Sequence, residues 1–274
     1  MSLDIFDDAK QKRKQLLTIF DTLPTITLYG VVGANGPSGG KTPPEVLWSL
    51  NLHLIAWRIP GELVRSVPLS VSKLVSDEEL RALQNLIISE SIIAFRGKLC
   101  ENSPFGDARA ELVGLLDQPI DNELELILSK FREPVEILDP LIGKLVLNKS
   151  VDLFEGKVTW LGQSIDIAIS VDENDTPTSS LQTAKALLIA MEQWTSNVND
   201  YAVAELLELK NDSWLDEDEN PVTSEEFVSR MRLNAITTYP DGNFEFWLHD
   251  GDLFCGHTIQ VSGSVSEGLT SADI

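Results

Sequence analysis

The residue types most able to do chemistry concentrate in one short segment near the end of the chain, namely His249, Asp250, Asp252, Cys255 and His257. A cysteine thiolate and neutral imidazoles are ligands that a divalent metal such as Zn²⁺ accepts. The trio His249, Cys255 and His257 is therefore a candidate metal site, which would serve a metal-assisted hydrolase. The other chemistry that these residue types allow is catalytic, with Cys255 as a nucleophile activated by His257.

The spacing of these residues does not select either chemistry. In a regular strand Cys255 and His257 would point to the same side, and His249 could meet them across the preceding turn. Any two strand residues two apart share a side, so this pattern is not a metal signature. We favour a structural role, with a histidine ring hydrogen-bonded beneath the helices, and we predict no metal and no cofactor. For a binding role, the candidate contacts are Trp247, His249 and Asp252.

These residues belong to a longer stretch, residues 239–263, in which apolar and polar side chains alternate between Asp-Gly turns. Such alternation predicts strands with one buried face, and the Pro-Asp-Gly sequence at 240–242 predicts a hairpin. The buried side is expected to carry Phe244, Phe246 and Leu248, and the opposite side Glu245, Trp247 and His249. The stretch therefore predicts the strands that complete a sheet.

The chain before this stretch supplies further strands and a helical cover. Strands are predicted over residues 144–147, 153–161 and 163–171. Apolar residues then repeat at spacings of three and four and predict one helical stripe: Leu181, Ala184, Leu188, Met191, Trp194, Val198 and Tyr201. Another helix is predicted to begin at Thr223 and to bury Phe227. We expect a C-terminal antiparallel sheet with helices packed on one face.

The first half of the chain is predicted to be a β-rich unit. A first helix is expected over residues 3–22, and Ser76 with Glu79 three residues later predicts a helix N-terminus. Strand pairs around this short helix indicate a partly open barrel. The segment 134–140 is the expected boundary, which gives a domain over residues 1–138 and a second over 139–274. The predicted fold class is α+β.

Two other segments approach ligand motifs without matching them. The Gly-Lys-Thr sequence at 40–42 is similar to the end of a phosphate-binding loop, but Asn35 stands where the first glycine is required and prolines follow at once. The Asp-x-Asp-x-Asn sequence at 216–220 has the spacing that opens an EF-hand, but Pro221 replaces the necessary glycine. Nucleotide binding and a calcium loop are therefore both disfavoured.

The charge balance restricts the partners. With 43 acidic and 21 basic residues, the net charge is −22 and the isoelectric point about 4.4. Such a surface repels phosphate backbones and anionic membranes, whereas it permits a basic protein partner. The two cysteines, Cys100 and Cys255, cannot form a disulfide framework and are typical of a reducing compartment. Without a secretory signal or an apolar run long enough to span a membrane, the sequence predicts a cytoplasmic protein that binds neither nucleic acid nor membrane.

Several segments together resemble a known family: FEGKVTWLGQSIDIAIS, LLELKNDSWL, EEFVSRMRLNAITTYPDG and FEFWLHDGDLFCGHTIQVSG. Their order is similar to that of a bacterial family of domains of unknown function, of the DUF2262 type, and covers roughly residues 143–274. The sequence Gly-His-Thr-Ile at 256–259, followed by Gly263, is the most specific part of the resemblance. The resemblance implies a fold and no reaction.

The function that we expect is a non-catalytic binding or interaction module of bacterial type. One specific form is an immunity-like protein, an acidic antagonist of a basic protein. Two alternatives are the metal-assisted hydrolase with His249, Cys255 and His257, and a regulatory protein that senses a small molecule. The oligomeric state is left open by the sequence.

Overall fold

The computed structural model describes residues 2–41, 45–173, 176–215 and 219–274, with side chains from residue 8 onward. The chain divides into two compact units, Met1–Glu133 and Pro134–Ile274. The described residues contain six α-helices and fourteen strands. The strands form two sheets, one in each unit. The predicted α+β class is confirmed. No helix among these residues is long and apolar enough to cross a membrane.

The N-terminal unit contains three helices and six strands in its described part. In chain order they are α1 (Ser2–Thr22), β1 (Ile26–Val32), β2 (Ser38–Gly40), β3 (Trp48–Arg58), β4 (Leu69–Val75), α2 (Asp77–Leu86), β5 (Ile92–Cys100), β6 (Arg109–Leu116) and α3 (Asn122–Arg132). The predicted helix start is confirmed, because the Ser76 side chain accepts a hydrogen bond from the backbone N–H of Glu79 at 3.2 Å.

Five of these strands close into a barrel. They follow the order β1-β5-β6-β4-β3, and β3 pairs with β1 to complete the circuit, while β2 extends β3 at the side. Strands β4 and β6 are parallel, and α2 connects β4 to β5. This connectivity is that of the OB-fold type of Greek-key barrel. The expected barrel is therefore present and closed, although a fold of this kind does not by itself assign a ligand.

The C-terminal unit contains eight strands and three helices in its described part. They are β7 (Glu136–Asp139), β8 (Gly143–Asn148), β9 (Leu153–Trp160), β10 (Gln163–Ser170), α4 (Thr178–Ile189), α5 (Met191–Ser213), α6 (Ser224–Arg230), β11 (Arg232–Thr238), β12 (Asn243–His249), β13 (Thr258–Ser264) and β14 (Gly268–Asp273). The strands lie side by side from β14 to β7 in reverse chain order.

The sheet differs in one respect from the antiparallel arrangement that we expected. Strands β10 and β11 are parallel, whereas the other neighbouring pairs are antiparallel. The reason is that α4, α5 and α6 carry the chain from the end of β10 back to the edge where β10 began, which is the crossover that a parallel pair requires. The same crossover places the helices over one face of the sheet.

That covered face holds the core of the C-terminal unit. The predicted inward residues of β12, Phe244, Phe246 and Leu248, are all buried. Two tryptophans make edge-to-face contacts with them, Trp160 with Phe246 at 5.6 Å between ring centroids and Trp194 with Phe244 at 4.9 Å. The opposite face is open in that these helices leave it uncovered, and it carries polar side chains such as Glu245 and Gln260.

The barrel allows a test of strand proximity in the N-terminal unit. A Cβ atom at Gly97 would lie 2.8 Å from the carbonyl oxygen of Glu111 and 2.9 Å from the Phe95 ring, whereas a Cβ at Gly114 would meet no atom within 4 Å. We expect Gly97→Ala to lower the free energy of unfolding by about 1–3 kcal/mol, because backbone must shift. Gly114→Ala, the control, is expected to change it by less than about 0.5 kcal/mol. Equal urea denaturation midpoints for the two variants would contradict the close approach.

Candidate functional site

The reactive residues identified in the sequence lie in a turn and not in a strand. Strand β12 ends at His249 and β13 begins at Thr258. Asp252 and Cys255 have left-handed backbone conformations, with φ of 65° and 55°. The expectation that Cys255 and His257 share one side of a strand is therefore wrong, because the left-handed residue breaks the alternation on which it depended.

Asp250 holds this turn together. Its side chain is buried, with 4% of its residue surface exposed. One carboxylate oxygen accepts from the backbone N–H of Asp252 at 3.2 Å, and the other accepts from Phe254 at 2.7 Å and Gly256 at 3.0 Å. Both oxygens of this buried carboxylate are thus engaged with backbone donors of the turn, which gives the group a structural role.

The remaining candidates of the turn are exposed and do not converge. His249, Asp252, Cys255 and His257 all lie at the surface, and the Cys255 thiol is free. His257 is exposed and its ring packs edge-on against Trp214, with 5.4 Å between centroids. Neither His249 nor His257 is therefore the buried histidine ring that we expected beneath the helices. Among the described residues, no three His, Cys, Asp or Glu side chains are grouped so as to hold a metal ion. The trio proposed for a hydrolase is thus not assembled.

The turn is fastened to the helices by a charged network. Gly251 approaches the end of α6 so closely that a Cβ would lie 2.3 Å from the Arg230 carbonyl oxygen, and the Arg230 side chain donates to the Gly251 carbonyl at 3.0 Å. Arg230 also contacts Glu219 at 3.3 Å, and Glu219 accepts from the buried Lys210 at 2.5 Å. These contacts make the turn a fixed part of the scaffold.

A groove at the open face of the sheet brings Glu245 together with polar residues that the sequence did not single out. It encloses about 230 Å³, between the ends of β11, β12 and β13 and the start of β14. Its polar lining consists of two carboxylates, one amide and several hydroxyls: Tyr239, Asn243, Glu245, Ser262, Ser264, Glu267 and Thr270. Among the residues that the structure describes, no basic side chain lines it.

Tyr239 and Glu245 are joined by a hydrogen bond between their side chains in this groove. The Tyr239 hydroxyl donates to a Glu245 carboxylate oxygen at 2.8 Å. Partial burial, followed by this hydrogen bond and the negative charge of Glu245, raises the pKa of Tyr239 to about 12. Proton transfer at neutral pH is served by a group with a pKa near 7, so this phenol is suited to binding and not to acid–base catalysis.

Trp247 continues the same open face. It lies two residues after Glu245 in β12, so both side chains point to the side away from the helices. Its indole N–H donates to the Thr237 hydroxyl at 3.2 Å, and the ring is half-exposed. Of the predicted binding residues, Trp247 lies beside the groove residue Glu245 on the same face of β12. His249 and Asp252 lie further away, at the end of β12 that leads into the turn.

The alternation of β12 already placed Glu245 and Trp247 on the outer side, and this part of the site was readable from the sequence. Tyr239 and Glu267 were missed because they reach the groove through turns. The two near-motifs cannot be compared with the structure in full, because residues 42–44 and 216–218 lie outside the described residues.

Removing the Asp250 carboxylate is expected to destabilise the C-terminal unit. Asp250→Ala leaves three backbone N–H groups without their acceptor, which should lower the free energy of unfolding by about 2–4 kcal/mol. Asp252→Asn is the control, because its side chain is exposed and asparagine tolerates the left-handed conformation; its effect should stay below about 0.5 kcal/mol. Chemical denaturation followed by tryptophan fluorescence measures both. If the free energy of unfolding falls equally in both variants, Asp250 has no special role in the turn.

The raised pKa of Tyr239 predicts a pH dependence at the alkaline end. The pKa in the folded chain, about 12, exceeds the ordinary value of 10.0. The protonated Tyr239 phenol therefore contributes its full share of folding stability below pH 10, and this share is lost as the pH rises towards 12. An ultraviolet difference titration of the parent against Tyr239→Phe should show one phenol ionising near pH 12. Glu245→Gln should move this ionisation to lower pH, because the negative charge beside the phenol is gone. If Tyr239 of the parent protein ionises at the ordinary pKa of 10.0, the pairing with Glu245 is refuted.

Two family models cover most of the chain. Residues 12–131 match a family described as "Domain of unknown function (DUF7021)". Residues 139–274 match one described as "Uncharacterized protein conserved in bacteria (DUF2262)", which confirms the resemblance found in the strand and turn sequences. No curated protein matches the chain. The C-terminal half, which contains the Asp250 turn and the groove, thus belongs to the DUF2262 family of uncharacterised bacterial proteins.

Proposed function

We propose that the C-terminal unit is a non-catalytic binding module for a basic protein, and that a Lys or Arg side chain of this partner enters the groove at Tyr239, Glu245 and Glu267. The observation that carries the proposal is the composition of the groove, which has two carboxylates and no basic residue in its lining. An ammonium or guanidinium group is the complement of such a lining, because charge-assisted hydrogen bonds to carboxylates are the strong ones.

The distribution of charge supports this assignment. Residues 134–274 contain 7 basic and 25 acidic residues, a net charge of −18, whereas residues 1–133 contain 14 basic and 18 acidic residues, a net charge of −4. A field of one sign attracts a basic partner and raises its association rate. The acidity of the chain therefore belongs almost entirely to the unit that contains the groove.

The basic residues of the C-terminal unit are mostly engaged within it. Five of the seven form ion pairs among the described residues, in the pairs Lys144–Glu136, Lys157–Asp166, Lys185–Asp139, Lys210–Glu219 and Arg230–Glu219. None of these five pairs uses Glu245 or Glu267, so neither carboxylate is taken by them.

Trp247 adds a contact that a basic side chain can use. The half-exposed indole lies beside Glu245 on the open face. A guanidinium or ammonium group over an indole ring gains a cation–π attraction that is larger for tryptophan than for other aromatic residues. Groove and ring together favour an extended basic segment, with one cation in the groove and a second over Trp247.

An immunity-like role is the specific form of this proposal, in which the acidic unit covers a basic protein and blocks it. We place this activity in the cytoplasm. The free, exposed thiol of Cys255 supports that location, because exposed thiols persist in reducing compartments.

A charge-matched pair of double variants tests the groove. Glu245→Gln with Glu267→Gln removes two carboxylates from the groove, and Glu205→Gln with Glu208→Gln removes two exposed ones from α5. With a fluorescent Lys/Arg-rich peptide as the probe, fluorescence anisotropy at low salt should show the groove variant to be weakened about tenfold or more and the helix variant about twofold or less. Each variant changes the net charge by the same amount, so equal weakening would mean that the peptide follows the overall field and not the groove.

A further inference from the structure

The outward side of β12 carries three different groups in a fixed order. Glu245, Trp247 and His249 alternate with the buried Phe246 and Leu248, so all three point to the open face. Residues two apart in a strand are separated by about 7 Å. The row therefore begins at a carboxylate of the groove, passes an indole, and ends at an imidazole about 14 Å from its start.

The far end of this row carries basic side chains. Arg232 lies directly opposite His249 in the pairing of β11 with β12, so the two side chains are neighbours on the open face. Both residues are exposed. Thr258, the neighbour of His249 in β13, is uncharged. The open face thus has an acidic end at the groove and a basic end at Arg232 and His249.

Arg232 has no carboxylate partner within the part of the chain that the structure describes. Arg230, two residues earlier, differs in contacting Glu219 and Glu226. The outward carboxylate of the adjacent strand β10, Asp166, is bound by Lys157 at 2.6 Å. Although the net charge of residues 134–274 is −18, the Arg232 guanidinium is therefore available to a carboxylate from outside.

We propose that the partner segment at this face is extended and bipolar, with a Lys or Arg in the groove and an Asp or Glu four residues away that binds Arg232 and His249. This inference rests on the proposed function, because the groove fixes the position of the cation. An extended segment has the same repeat as β12, so its residues at positions 1, 3 and 5 face Glu245, Trp247 and His249. A helix advances only about 6 Å in four residues and cannot make both end contacts with that spacing.

The order of charges in the partner then matters as much as their sum. The overall field of the unit repels an acidic residue, so an acid in the segment should weaken binding unless a local cation receives it. Arg232 supplies that cation, since a guanidinium and a carboxylate can form two parallel hydrogen bonds, and the His249 ring offers a further N–H. The overall field and the local site therefore predict opposite effects of one acidic residue.

Four fluorescent peptides with amidated C-termini test this opposition in the full chain. They contain Lys-Ser-Arg-Ser-Glu, its counterpart with Gln in place of Glu, and the reverse of each, because the segment can run in either direction along β12. Fluorescence anisotropy at low salt should show, in one of the two orders, that the Glu peptide binds about two- to fivefold more tightly than the Gln peptide. If the Glu peptides bind equally or more weakly in both orders, the proposal is wrong.

Two matched variants locate the acid. Arg232→Gln should abolish the preference for Glu over Gln, whereas Arg81→Gln, at an exposed arginine of α2, makes the same change in net charge and should preserve it. A preference that survives in Arg232→Gln would show that the acid binds elsewhere and would overturn the proposal. The groove is tested separately: if Glu245→Gln with Glu267→Gln leaves the affinity for the Gln peptides unchanged, the proposed function itself fails.

Discussion

Lys210 is the buried charge on which the C-terminal unit depends. Its residue is 1% exposed, and its ammonium group donates to the Trp214 carbonyl at 2.7 Å and to Glu219 at 2.5 Å. An isolated charge in such a position would be very unfavourable, so both partners are required by the burial itself. Glu219 in turn contacts Arg230, and Arg230 reaches the Gly251 carbonyl. One network thereby connects α5, α6 and the turn between β12 and β13.

The two faces of β12 have opposite chemistry. Side chains alternate along a strand, so Glu245 and Trp247 reach the open face while Phe246 and Leu248 reach the core. The acidic groove and the aromatic core are therefore built from neighbouring residues of the same strand.

The elements that alternation or helical periodicity defines were predictable. The inward side of β12, the apolar stripe of α4 and α5 and the start of α2 at Ser76 follow from local sequence, because burial of one face imposes a period on the chain. The prediction for Cys255 and His257 was wrong, since it extended strand geometry into a turn whose residues adopt positive φ. The parallel pairing of β10 with β11 and the closure of the barrel through β1 and β3 were not readable either. Both pairings join strands that are distant in the sequence, so they depend on the tertiary fold and not on a local pattern.

The sequence by itself determined the α+β class, the net negative charge, the DUF2262 resemblance and the outward position of Glu245 and Trp247. Each of these is a property of composition or of a short repeating pattern. Only the tertiary structure decided that Asp250 is a buried acceptor for three backbone groups, that the thiol and imidazoles of the turn stay apart, and that Tyr239 meets Glu245 beside Glu267. These outcomes depend on distances between side chains on different strands and turns, and such distances are set by the packing of the whole sheet against its helices.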